Sequence, residues 1–136
     1  MKKNNLGDVR YFIDHDKRIL YAERHDNISK EGVYAEWDAI QKLDGFDPSY
    51  ETIVDYSFVP RVDLDASDLI ELNREMPNYD VRTGNVAIVT GLLKGRHMLA
   101  RFFCTMTNLF GDRKYQVFTT KSEAEAWLFA LRKNKQ

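Results

Sequence analysis

Asn85-Val86-Ala87-Ile88-Val89-Thr90 is the stretch of sequence that decides the fold. It holds four consecutive apolar residues, three of them β-branched. A strand with one solvent-exposed face alternates apolar and polar residues, whereas a strand covered on both faces shows a continuous apolar run. The run therefore indicates a strand in the interior of a sheet, with helices packed over it.

Residues on both sides of this run alternate between strand and helix patterns. A second apolar run, Thr52-Ile53-Val54-Asp55-Tyr56, suits another interior strand. In chain order the predicted elements are strands at 9–14 and 18–23, a helix at 29–43, a strand at 52–56, a helix at 67–75, a strand at 85–90, a helix at 94–110, a strand at 115–118 and a helix from 122.

Local signals set the predicted helix boundaries. Ser29 offers an N-cap oxygen to the first helix, and Pro77 is expected to stop the second. Gly111 is expected to close the third helix, and the Ser122-Glu123-Ala124-Glu125 sequence fits a capping box that opens the fourth.

The predicted order of elements is ββαβαβαβα. Strands that alternate with helices form parallel sheets through right-handed crossovers, and the opening hairpin adds one antiparallel strand. We therefore predict an α/β fold: a single mixed, mostly parallel five-stranded sheet covered by about four helices. The length of 136 residues suits one domain over 1–136, with an ordered core at about 9–133.

Composition narrows the classes of function. A net charge of −1 gives no bulk attraction to nucleic acid, so no nucleic-acid partner is expected. The N-terminus lacks the apolar stretch of a signal peptide, and no run approaches the roughly 18 apolar residues of a membrane span. A cytoplasmic location is expected, and the single cysteine, Cys104, excludes a disulfide within the chain.

Charge is unevenly distributed along the chain. Residues 51–80 hold eight acids and two bases, and residues 91–136 hold three acids and nine bases. One interpretation is that the two halves attract each other on folding. The other is that an acidic face is offered to a basic partner.

Catalytic and metal-binding patterns are weak. The three histidines are far apart in sequence, and no phosphate-binding glycine motif is present. The acidic cluster at 63–68 lacks the central glycine and the terminal glutamate of a calcium loop. Asp65 or Ser67 is expected to cap the second helix instead. We predict no cofactor, no metal and no enzymatic activity.

The predicted third helix has more apolar surface than one stripe requires. Met98, Phe102 and Met106 form one row, and Leu99 and Phe103 form an adjacent one. One row can face the sheet and leave the other for a neighbouring element, a protein partner, a homodimer or an apolar ligand. Complete burial of both rows is the alternative.

The order of elements resembles that of the STAS fold, which is shared by anti-sigma factor antagonists and the SpoIIAA-like family. The likeness rests on the opening hairpin and Ser29-initiated helix, on residues 53–63, and on the ending Val117-Phe118-Thr119-Thr120-Lys121-Ser122-Glu123-Ala124-Glu125-Ala126-Trp127-Leu128. The ending is similar to the strand and S-x-E-A-A-x-x-W-L helix of many SpoIIAA-like proteins.

The resemblance implies two functions. SpoIIAA-like domains also resemble the lipid-carrying Sec14 (CRAL-TRIO) domains, which implies a bacterial-type regulatory or ligand-binding domain. An apolar small molecule or lipid would then lie beside the third helix, against Met98, Phe102 and Met106, with Trp37 adjacent.

The alternative is a protein–protein switch. In anti-sigma factor antagonists a serine in a D-S-S-G loop is phosphorylated, and Asp65-Ala66-Ser67-Asp68 is the matching stretch. Ser67 holds the position of the phosphorylated serine, with Asp65 and Asp68 beside it. An enzyme, the third class, would need a site assembled from scattered residues such as His25, Asp55 and Ser57.

Overall fold

The computed structural model describes residues 8–110 and 113–134. The strands are β1 (Val9–Asp14), β2 (Ile19–Arg24), β3 (Ile28–Ser29), β4 (Glu51–Asp55), β5 (Val62–Asp63), β6 (Val86–Val89) and β7 (Tyr115–Phe118). The helices are α1 (Lys30–Gln41), α2 (Ala66–Tyr79), α3 (Lys94–Phe110) and α4 (Lys121–Asn134).

A five-stranded sheet with the order β1-β2-β4-β6-β7 forms the centre of the molecule. β1 and β2 form the antiparallel hairpin, and the other neighbouring strands are parallel. In the two central ladders Val54 lies opposite Ile88, and Ile88 lies opposite Val117. The predicted mixed, mostly parallel sheet with four helices is confirmed.

The two faces of the sheet carry different layers. Because side chains alternate along a strand, Val54 and Ile88 point to the face covered by α1, α2 and α3. Ile53 and Ala87 point to the other face, where they pack against α4. Within the described ranges, none of the helices combines the length and the hydrophobicity that a bilayer span requires.

Two short strands and one helix end differ from prediction. β3 and β5 pair in parallel as a separate two-stranded sheet, and two residues each are too few to show periodicity. The prediction that Pro77 stops α2 is wrong, because the helix continues to Tyr79. Buried Met76 holds this last turn, and its carbonyl accepts from the Asp80 amide.

The predicted N-cap of α1 is confirmed, and the predicted N-cap of α4 is wrong. Ser29 Oγ accepts from the Gly32 amide, as predicted. The predicted Ser122 cap is wrong: α4 begins at Lys121, one residue before Ser122, and Thr120 Oγ1 accepts from the Glu123 amide at 3.2 Å. Gly111, the predicted end of α3, lies outside the described residues.

Gly84 packs directly against the backbone that leads into β4. A Cβ at this position would overlap the Tyr50 carbonyl oxygen and lie 2.9 Å from that of Ser49. Since backbone cannot move aside cheaply, Gly84→Ala is expected to destabilise the fold by about 2 kcal/mol. Chemical denaturation of the variant measures the loss.

Gly95→Ala is the matched control, because nothing lies within 4 Å of a Cβ built there. Gly95 is in α3, where alanine is favoured over glycine by up to about 1 kcal/mol, so this variant should be as stable as the parent or more stable. Equal stability of the two variants would contradict the close approach at Gly84.

Candidate functional site

A narrow cavity lies between the sheet and the three helices that cover its first face. Its volume is about 80 Å³. β4 and β6 supply its floor, and α1, α2 and α3 supply its walls. Its apolar lining residues are Ile28, Val33, Trp37, Val54, Val62, Leu64, Leu69, Leu72, Val86, Ile88, Leu99, Ala100 and Phe103.

Helical spacing explains why these side chains converge. Val33 and Trp37 lie four residues apart on α1, and Leu99 and Phe103 lie four residues apart on α3. Each pair therefore occupies one face of its helix, and that face is turned towards Val54 and its neighbours on the sheet. Amphipathic packing thus builds the walls of the cavity.

Polar side chains also line the cavity, and two buried networks hold them. The first network joins Arg24 to Glu36. Their side chains are 1% and 2% exposed, and Nη2 of Arg24 lies 3.2 Å from a Glu36 oxygen. The other Glu36 oxygen accepts from the Tyr56 hydroxyl at 3.1 Å, and Arg24 also pairs with Asp26.

The second network centres on Asp80. Its carboxylate accepts two hydrogen bonds from the Arg82 side chain, and it lies 2.6 Å from Nη2 of Arg113. Burial alone would raise the pKa of Asp80, but the two guanidinium groups outweigh it and lower the pKa to about 2. The carboxylate is therefore charged at neutral pH.

Neutral tyrosine hydroxyls border both networks. Burial raises the pKa of Tyr56 well above 10, and the nearby Glu36 carboxylate adds to the shift. Burial likewise raises the pKa of Tyr115 to about 12. The hydroxyl of Tyr115 accepts from Nη2 of Arg113 at 2.6 Å. Neither tyrosine supplies a base at physiological pH.

The structure separates the predicted ligand-binding residues. Trp37, 4% exposed, lines the cavity. Met98 and Phe102 are 70% and 42% exposed, and Met106 is half-buried; none of these three lines the cavity. The row that faces the interior is the adjacent one, with Leu99 and Phe103, so the structure does not bring Trp37 together with the predicted row.

The predicted switch residues lie at the exposed start of α2. Asp65 is the N-cap: its carboxylate accepts from the Asp68 amide, and the Asp68 carboxylate accepts from the Asp65 amide. Ser67 is exposed in the first turn and takes no part in this capping box. Of the two predicted caps, Asp65 is the correct one.

The acidic and basic halves of the sequence meet at two ion pairs. Asp80 pairs with Arg113, and Glu51 lies 2.7 Å from Arg132 of α4. Both acids are buried or nearly so. These contacts support attraction between the halves within one chain.

The scattered residues proposed for an enzyme have other partners. The Ser57 hydroxyl donates to Asp55, while His25 pairs with Glu23 and stacks on the Phe58 ring at 4.8 Å. Cys104 is buried, and burial raises the pKa of its thiol to about 12. Among the described residues, no three His, Cys, Asp or Glu side chains cluster in a way that could hold a metal ion.

Sequence reasoning missed the buried charged residues of the cavity, although one signal pointed to them. Glu36 lies three residues after Val33 and four before Ile40, on the apolar stripe of α1. A charged residue on such a stripe is buried only when it is paired. Arg96 carries a similar signal, because it lies three residues before Leu99 and seven before Phe103 on the apolar face of α3. Arg82 carries none, because it lies between α2 and β6, outside any helix or strand.

Comparison with known proteins concerns the fold. No family model and no curated protein matches the sequence. A crystal structure of an uncharacterized protein of the DUF3478 family from Shewanella loihica PV-4, described as having a SpoIIAA-like fold, is similar. The likeness covers 94% of this chain and 98% of that one, with a TM-score of 0.54 and 20% identity. The α/β chain therefore has a SpoIIAA-like fold, as its order of elements predicted.

Proposed function

We propose that this protein is a non-enzymatic ligand-binding domain that holds an apolar small molecule in the cavity beside α3. The observation that carries the proposal is the cavity of about 80 Å³ in the middle of the main hydrophobic core. Protein interiors are close-packed, and few voids larger than a water molecule occur in one domain.

The apolar lining, with Trp37 and Phe103 among it, favours a ligand with an apolar body.

One side of the cavity offers a route to solvent. Val62 of β5 and the following Leu64 are half-buried, as are Leu99 and Ala100 on the facing side of α3. The remaining walls are formed mainly by buried residues. A ligand would therefore pass between the β5 segment and α3.

The volume favours a short molecule over a long lipid. An engineered apolar cavity of about 150 Å³ accommodates benzene, and this cavity is smaller. A long acyl chain would require α3 to move away from the sheet.

Hydrogen bonds engage the charged and hydroxyl side chains of the lining. Glu36 accepts hydrogen bonds from Arg24 and Tyr56, and the Thr90 hydroxyl lies 3.0 Å from Nδ1 of His97. The Thr90 hydroxyl also lies 3.3 Å from the Gly91 carbonyl oxygen, to which it can donate its proton. General base catalysis would instead require this hydroxyl to donate to His97.

Filling the cavity tests the proposal. Ala100→Leu places three extra carbon atoms at the wall, so we expect it to weaken binding of propan-1-ol at least tenfold in calorimetric titration. Native mass spectrometry of gently purified parent protein should show an added mass that the variant lacks.

Met98→Ala is the matched control on the exposed row of α3. It should bind propan-1-ol as the parent does. Loss of binding in Met98→Ala but not in Ala100→Leu would move the site to the surface row, and no binding by the parent would overturn the proposal.

A switch at Ser67 is the second function that the sequence predicts. Exposure of Ser67 would allow a kinase to reach it. Asp65 and Asp68 flank it, however, and would repel an added phosphate. The cavity therefore supports ligand binding better than the α2 terminus supports a switch.

A further inference from the structure

We propose that two copies of this chain associate through the outer edge of β1, so that their two sheets become one continuous sheet. β1 lies at the edge of the five-stranded sheet, and among the described residues only β2 pairs with it. An open edge offers backbone donors and acceptors to a strand of another chain. The inference does not depend on the cavity or on any ligand in it.

β1 lacks several devices with which proteins prevent pairing at an open edge. Such devices include proline, lysine and a bulge that twists the strand away. Val9–Asp14 contains neither proline nor lysine, and its register with β2 runs over all six residues without a bulge. Phe12, in the middle of the strand, is 62% exposed. The edge is therefore regular and carries an apolar side chain that a partner could cover.

Backbone geometry limits how a second β1 can pair with the first. The His25 amide donates to the Asp8 carbonyl at 2.8 Å, so these residues form a hydrogen-bonded pair of the β1–β2 ladder. Such pairs recur at every second residue of an antiparallel ladder, so Arg10, Phe12 and Asp14 direct their backbone groups towards β2. The residues that direct theirs to the open edge are Val9, Tyr11 and Ile13.

One two-fold arrangement satisfies both the backbone and the charges. A two-fold axis at Phe12 places Tyr11 opposite Ile13 of the second copy, and these outward-facing residues exchange backbone hydrogen bonds. The same axis places Arg10 opposite Asp14 of the second copy, once at each end of the paired segment. Opposite charges at directly opposed positions stabilise an antiparallel pair. The edge of β1 is thus complementary to itself.

Phe12 lies at the centre of this arrangement, opposite Phe12 of the second copy. The two residues form a non-hydrogen-bonded pair, in which Cα atoms approach to about 4.5 Å and the side chains are close. Aromatic pairs at such positions stabilise a sheet, and the contact removes exposed apolar surface from water.

The neighbouring registers are less favourable. An axis at Tyr11 would set Asp8 opposite Asp14, and an axis at Ile13 would set Phe12 opposite Asp14. An axis at Arg10 would bring two arginines together. Like charges at directly opposed positions destabilise an antiparallel pair. Charge therefore selects the axis at Phe12.

Sedimentation equilibrium of the full chain over a range of concentrations tests the inference. We expect the parent protein to be dimeric at high concentration and to dissociate on dilution, since a single pair of edge strands makes a small interface. A parent that stays monomeric up to about 1 mM, where even weak complexes form, would overturn the inference and leave the proposed function standing.

A charge reversal locates the contact on β1. Arg10 is exposed, so Arg10→Glu should leave the fold intact, but it places acid opposite acid at both ends of the paired segment. We expect it to weaken dimerisation at least tenfold. Arg74→Glu makes the same change on the exposed side of α2 and should dimerise as the parent does. A dimer that persists in Arg10→Glu would overturn the inference, as would one that Met98→Lys, on the exposed row of α3, abolishes instead.

Mixing two variants tests the register. Asp14→Lys alone should also weaken dimerisation, because it places base opposite base. An equimolar mixture of Arg10→Glu and Asp14→Lys chains should recover the affinity at least tenfold, since every acid then faces a base. Asp14 accepts from the Lys17 amide in the hairpin turn, so circular dichroism must first show that Asp14→Lys is folded. A folded pair of variants that does not recover would contradict the axis at Phe12, and the result for Arg10→Glu does not depend on Asp14→Lys folding.

Discussion

Replacement of Glu36 by glutamine is expected to lower the free energy of unfolding by about 3 kcal/mol. The substitution keeps the shape of the side chain but removes the charge that faces buried Arg24. Removing one partner of a buried pair costs about 3–5 kcal/mol, because the other charge is left uncompensated. The lower end of that range applies here, since Asp26 still contacts Arg24. Urea denaturation at pH 7 measures the change.

Glu31→Gln is the matched control, on the exposed side of the same helix. It should cost no more than about 0.5 kcal/mol. The double variant Arg24→Met with Glu36→Gln should recover part of the loss, because it also removes the isolated charge. A Glu36→Gln variant as stable as Glu31→Gln would show that Arg24 and Glu36 are not a buried pair.

Replacement of Asp80 by asparagine is expected to cost about 4 kcal/mol at pH 7. Two guanidinium groups, on Arg82 and Arg113, lose their shared counter-charge. The cost should depend on pH, because the folded-state pKa of Asp80, about 2, lies below the ordinary value of 3.8. The stabilisation is complete above about pH 5 and is lost as the pH falls towards 2.

The difference in stability between parent and Asp80→Asn should therefore be constant from pH 5 to pH 7 and shrink by about 2 kcal/mol on acidification. Asp38→Asn is the control: Asp38 is exposed and pairs with exposed Lys42, and such a pair contributes at most about 1 kcal/mol to stability. A difference between parent and Asp80→Asn that grows as the pH falls would contradict the assignment.

Much of the fold follows from local patterns that the sequence displays directly. The continuous apolar runs at β4 and β6 identify the interior strands, and Gly91 marks the turn after β6. The length of α3 follows from its apolar repeat. These features depend on residues close together in the chain, and that is why sequence reasoning reaches them.

The cavity depends on features that local pattern does not encode. From the sequence, either of two adjacent apolar rows on α3 could face the sheet. Packing of α3 against α2 and β7 turns the row with Leu99 and Phe103 towards the interior. Arg24 and Glu36 are twelve residues apart, and Asp80 and Arg113 are thirty-three apart. Charged residues so far apart in sequence are expected to be solvent-exposed, because their pairing arises only in the folded chain.

The parallel pairing of the central strands also constrains how the chain reaches this state. The β1–β2 hairpin is local and can form within microseconds. By contrast, Thr52 pairs with Val86 and Val86 with Tyr115, and each pairing closes a loop of about 30 residues through a helical crossover. Loop closure must precede the contacts that reward it, so folding is slower than that of a helical bundle of the same length. Until β7 docks, the apolar edge of β6 stays open to other chains, and aggregation during refolding should increase with protein concentration.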